Sequence, residues 1–147
     1  DRVADVTELL ENWQDGRIKM FLTALGLRLR RRLAPVFLQG EYLPIEVEGG
    51  QANHVVAILR RNGSDFVLAV VPRLIASLEL SASGLPIGES CWGETRLAMP
   101  TEFAGRAFQN LVTGEVAPCI ADGERCLLPV SAALQTCPVA LLTCVED

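Results

Sequence analysis

The feature that most constrains this chain is a change of hydrophobic period at Gly40. Before it, apolar residues recur at steps of three and four. After it they alternate, or run continuously between turn signals. No helical pattern separates the later strands, which excludes a parallel α/β fold. The order predicts a mainly β (α+β) chain, with two N-terminal helices followed by an antiparallel β-sandwich or Greek-key domain. The boundary divides the chain into residues 1–36 and 37–147.

In the helical part, Val3, Val6, Leu10 and Trp13 form one stripe, broken by Asp15-Gly16. The stripe predicts that Trp13 belongs to the core. A second helix is expected over 17–33, with Ile18, Phe21, Leu22, Leu25 and Leu29 on one face. Met20, Ala24 and Leu27 widen that face well beyond the stripe of roughly 100° that a surface helix needs. Such an arc asks for neighbours on two sides. Pro35 ends the helix. The basic run Arg28–Leu33 reads as a solvated last turn, where cations favour the helix C-terminus, in preference to an RNA or membrane patch.

In the β part, Leu43, Ile45 and Val47 alternate with polar neighbours, and Pro44 argues for an edge strand. His54–Arg60 and Phe66–Val71 are nearly continuous apolar runs, expected as central strands covered on both faces. Asn62-Gly63 supplies the positive φ of the turn between them. Residues 77–91 read as a long loop, and Ser131–Leu134 as one helical turn. Further strands are expected at Thr95–Met99, Phe108–Val112, Glu115–Ile120, Cys126–Val130 and Val139–Val145, giving eight in all.

The chain has 147 residues and is half hydrophobic, which suits one packed domain and argues against disorder. Residues 1–35 hold seven basic and five acidic groups, against six and thirteen in residues 36–147. An acidic β body repels backbone phosphates, so nucleic acid is not an expected partner. No apolar run approaches the roughly 18 residues that span a bilayer, and no secretory signal is visible, so neither membrane nor export is expected. Five cysteines, mostly in apolar segments, read as reduced buried thiols of a cytoplasmic protein. Cys119/Cys126 and Cys137/Cys144 share a separation of seven. Zinc knuckles place ligands about two to four residues apart, and strand residues seven apart face opposite ways, so no metal is expected.

Little catalytic chemistry is visible. The nucleophile elbow, the phosphate loop and the dinucleotide fingerprint are all missing, so no cofactor is implied. The one histidine, His54, reads as a strand residue whose ring meets a backbone carbonyl. Trp92, beside Gly93 after a long loop, reads as a plug over the core.

Several phrases are more specific than their physics. "DGRIKMFLTALGLRLRRRLAPVFLQGEYLPIEV", "HVVAILRR", "FVLAVVPRL", "CWGETRLAMP", "FQNLVTGE" and "CPVALLTC" follow one another in this order. As a set, over residues 12–144, they resemble the C-terminal region of the maltooligosyltrehalose synthases, a family of the α-amylase superfamily. The resemblance implies a (β/α)8 barrel in the same polypeptide, with residues 1–36 as its last helices and the β domain packed on them. It implies isomerisation of the reducing-end α-1,4 bond of a maltooligosaccharide to an α,α-1,1 bond. The family's Asp nucleophile, Glu acid/base and further Asp would lie upstream, leaving no catalytic residue in this chain. The missing initiator Met and the helical opening likewise suggest a piece of a longer protein. Within "DGRIK", Arg17 and Lys19 are the candidate substrate-binding residues, donating to sugar hydroxyls or to a barrel carboxylate. A salt link at the helix start is the competing reading of the same residues. The alternative function is a carbohydrate-binding module that grips α-glucans through exposed aromatics such as Tyr42 or Trp92.

Overall fold

A computed structural model of the protein describes residues 1–145. Three helices open the chain: α1 (Arg2–Glu11), α2 (Arg17–Arg32) and α3 (Ala34–Leu38), with a 3-10 turn at Trp13–Asp15. Strands β1 (Glu41–Glu48), β2 (Val55–Asn62) and β3 (Asp65–Pro72) follow, and then the short helix α4 (Gly88–Trp92). The remaining strands are β4 (Arg96–Met99), β5 (Ala107–Asn110), β6 (Val116–Pro118), β7 (Ile120–Asp122), β8 (Arg125–Pro129) and β9 (Ala140–Cys144), with helix α5 (Val130–Ala133) before β9. The fold is therefore mainly antiparallel β behind N-terminal helices, as the change of period predicts.

All pairings are antiparallel, in the order β6-β5-β9-β3-β2-β1-β4-β8-β7. The expected strand at Glu115–Ile120 splits at Cys119, which gives nine strands among the described residues. Its two halves, β6 and β7, lie at opposite edges of the sheet. One bend of the chain thus ties the two edges together, and the sheet curls round a single interior. Three rings centre that interior: Phe66 meets Phe103 and Phe108 edge-on at 4.8 and 5.4 Å. Leu59, Leu68, Leu97, Leu128, Leu134 and Leu142 fill the remainder with no exposed surface.

Pro44 does not mark an edge strand. β1 pairs with β2 through Ile45 and with β4 only from Glu46, so Pro44 sits where the second neighbour has not yet begun. The β2–β3 turn is Gly63-Ser64, because Asn62 still pairs with Asp65. Gly63 alone takes the positive φ, while the Asn62 amide donates to the Pro35 carbonyl. Residues 77–91 are not a simple loop: α4 begins at Gly88 and ends on the buried Trp92. Pro35 ends α2 only indirectly, since it sits in the first turn of α3, where its missing N–H costs nothing.

The expected state of the cysteines is also corrected. Cys119 and Cys126 form a disulfide, with Cα atoms 5.9 Å apart. The argument from a single strand fails because the β7–β8 turn lies between them, placing Ala121 opposite Cys126. Cys91, Cys137 and Cys144 remain thiols.

The helices lie on the outer face of the β3/β9 half of the sheet. Val6, Leu10 and Ile18 pack with Val112 and Cys137, and Leu29 and Val36 pack with Val67. Beside this packing and the Asn62–Pro35 bond, one side chain makes the densest polar link between the layer and the sheet. Arg60 of β2 donates to three carbonyls: Val36 at 3.3 Å, Phe37 at 2.9 Å and Gly40 at 3.1 Å. These include carbonyls at the end of α3 that have no helical partner, and a guanidinium satisfies several of them at once. Gly40 makes the approach possible, since a Cβ there would stand 2.1 Å from the Val36 oxygen. The outer face of β2 and β3 is covered only in part. Val56 and Val71, opposite each other, remain 36% and 38% exposed.

Three outcomes follow. Gly40→Ala should destabilise by about 2 kcal/mol or more in chemical denaturation, because the clash is with backbone. Gly26→Ala, in mid-helix with open space around it, should stabilise by about 0.5–1 kcal/mol. A thiol titration of the unfolded, unreduced chain should find three groups, and five after reduction.

Candidate functional site

The segment from Trp13 to Lys19 turns the chain from α1 into α2. Asn12 closes α1, and Gly16 adopts a left-handed conformation (φ 81°) that opens α2. The Asp15 carboxylate accepts from the Arg17 backbone N–H at 2.9 Å and from its Nε at 2.7 Å. Arg17 also reaches Glu8 of α1, at 3.6 Å. The backbone N–H and then the guanidinium of Arg17 hold the Asp15 carboxyl below its usual range, and Asp15 in turn raises Arg17. Arg17 is thus engaged in a salt link at the helix start. Lys19 is exposed, and its ammonium meets no acceptor among the described residues.

Trp13 is where sequence reasoning misplaces a residue. The stripe that predicts a buried indole ends with α1 at Glu11, and the following 3-10 turn carries Trp13 outward. It is 61% exposed. The local signal was Asn12, which closes α1 before Trp13 and donates its amide to the Glu8 carbonyl at 2.9 Å. Beside Trp13 lies a groove of about 450 Å³, between α1 and the 83–87 segment. Leu10, Leu85 and Ile87 line its apolar part, while Thr7, Glu11, Ser83 and Thr136 supply the polar groups.

A second groove, of about 500 Å³, lies on the outer face of β7 and β8. Glu89, Glu94, Asp122 and Arg96 stand round Ile120 and Leu127. Near it Arg125 bridges Glu48 at 2.6 Å and Asp122 at 3.2 Å, while the buried Nε of Arg96 has no hydrogen-bond partner among the described residues.

The other candidates are structural. His54 ends a 3-10 turn before β2, and its Nδ1 lies 3.3 Å from the Arg73 carbonyl. Trp92 is 1% exposed and donates its indole N–H to the Pro86 carbonyl at 2.9 Å, as a plug should. Tyr42 stays exposed. Burial pushes the Cys91 thiol up, and burial with the nearby Glu115 charge pushes up Cys137, so neither is an activated nucleophile. Among the described residues no group of three or more His, Cys, Asp and Glu is placed to hold a metal ion, and no helix is long and apolar enough to cross a membrane.

No family model and no curated protein matches the chain. Among solved structures, a noncanonic maltogenic alpha-amylase AmyB from Thermotoga neapolitana aligns with a TM-score of 0.46 and 17% sequence identity. The alignment covers 77% of this chain and 22% of that one.

Arg17→Ala should return Asp15 only part of the way toward the ordinary value of about 3.9 in a carboxyl NMR titration, because the backbone N–H at position 17 is kept. The sign follows from the depressed carboxyl. Its contribution to stability is present above the unfolded value and is lost as pH falls through the folded one. In the native chain near pH 8, a thiol reagent should modify Cys144 well before Cys91 and Cys137, by mass spectrometry of digests.

Proposed function

We propose that this chain is the C-terminal part of an α-amylase-superfamily enzyme, in the finer reading a maltooligosyltrehalose synthase, and that its task is to support a catalytic barrel. The ordered phrases over residues 12–144 support the family. The single structural observation that carries the packing role is the outward side of α2. Its inner side is covered by the sheet, yet Met20 and Leu27 stay 73% and 62% exposed. They are seven residues apart, about two turns, and so share one stripe. Leu38, at the end of α3, is likewise exposed. A surface helix carries scattered apolar residues without comment, but a second apolar stripe suits a second neighbour.

In this reading the barrel of the same polypeptide covers that stripe, and the maltooligosaccharide meets barrel carboxylates. Lys19 and, less directly, Arg17 reach toward the substrate from the start of α2. The salt link with Asp15 and Glu8 then orients Arg17, while Lys19 keeps its donors free. Excluding water from the released glucose separates isomerisation from hydrolysis, and a β domain that stiffens the last barrel helices contributes to that exclusion.

The test is the polypeptide encoded by the reading frame that holds this chain. Incubated with maltopentaose, it should lower reducing power and give the anomeric NMR signal of an α,α-1,1 bond. Rising reducing power would instead mark a hydrolase, and a frame with no barrel sequence would overturn the reading. In that enzyme, Lys19→Ala should raise KM several-fold, on the scale of one lost hydrogen bond to a sugar.

A further inference from the structure

We infer that the groove beside Trp13 is a saccharide subsite, in which the indole is a stacking platform for one neutral pyranose ring. Four observations meet there. The indole is mostly exposed at the groove wall, and its N–H meets no acceptor among the described residues. The Glu11 carboxylate is also without a partner among the described residues. Two hydroxyl groups of the wall, those of Thr7 and Thr136, are already committed as donors. Thr7 gives its proton to the Val3 carbonyl at 2.8 Å, and Thr136 gives its proton to Glu115 at 2.8 Å. Toward a ligand these two hydroxyls can therefore act only as acceptors. Leu10, Leu85 and Ile87 complete the surface with hydrocarbon.

An acceptor-rich rim over an apolar floor calls for a ligand rich in donors, uncharged, and apolar on one face. A pyranose fits: its C–H face lies on the indole and leucines, and its hydroxyls donate to Glu11, Thr7 and Thr136. Phosphate and other anions do not fit, because no basic residue lines the groove and Glu11 would repel them. An organic cation would suit Trp13 and Glu11 but would leave the threonine acceptors unmet. The volume of about 450 Å³ falls within the usual range for small-ligand sites, roughly 300–1,000 Å³. The choice of α-linked glucose units rests on the proposed function; the sugar site itself does not.

Trp92 is buried, so a ligand-linked change in tryptophan emission reports Trp13. Titrating the 147-residue chain with maltopentaose should give a saturable shift, with Kd on the order of millimolar for so small a contact. Saturation-transfer NMR then follows the variants. Trp13→Ala should weaken binding by about tenfold, the scale of losing an aromatic anchor. Tyr42→Ala, elsewhere on the surface, should leave binding unchanged, and far-UV spectra should match throughout. Binding that survives Trp13→Ala, or a linear response to maltopentaose and cellopentaose alike, overturns the proposal. Saturable, Trp13-dependent binding of cellopentaose alone keeps the sugar site and overturns the α-glucan reading.

Discussion

The polar link between the helical layer and the sheet centres on one guanidinium. Arg60 projects from the outer face of β2 and collects the carbonyls of Val36, Phe37 and Gly40. Hydrophobic contact alone would let a short helix such as α3 slide along the sheet, since apolar attraction has little direction. Three charge-assisted hydrogen bonds fix its end at one place. The position of α2 follows, because only Leu33 separates the two helices. The corner at Trp13 follows in turn through the packing of α1 on α2. Gly40 is the geometric condition for all of this, since any side chain there would push the carbonyls away.

The sheet has its own constraint. A curled antiparallel sheet leaves two edges, and exposed edges invite pairing with other chains. Here the chain bends at Cys119 and carries one edge strand straight into the other. Its backbone N–H is met by the Arg106 carbonyl at 3.0 Å, and its sulfur is bonded to Cys126 of β8. The seam is therefore held by main chain and cross-link together. α4 and α5 add Trp92, Ala133 and Leu134 to the same interior.

Much of this was legible in the residues. The period change at Gly40, the runs in β2 and β3 and the turn glycines all act locally, so each could be read where it stands. What escaped depends on distant partners. Trp13 fits its stripe in phase, and only the early end of α1 puts it outside. Cys119 and Cys126 look like residues on opposite faces until the β7–β8 turn folds one against the other. Pro44 reads as an edge because the sequence does not show that β1 changes neighbour halfway. The candidate site was less legible than the fold. Arg17 and Lys19 were singled out through a resemblance to a family, and the structure adds only the salt link of Arg17, whereas the groove needs the 83–87 segment and Thr136 brought to α1. No local pattern encodes that meeting.

The strand order has a consequence for how the protein is made. β9, residues 140–144, lies between β3 and β5 in the body of the sheet. On the ribosome, β1, β2 and β3 can pair as soon as they emerge, but β3 keeps a bare flank until residues 140–144 have cleared the exit tunnel. The nascent polypeptide therefore spends the interval with a sticky, unpaired strand at its centre. Any truncated product that stops before residue 140 keeps that flank for its lifetime, a natural client for chaperones and a ready target for proteolysis.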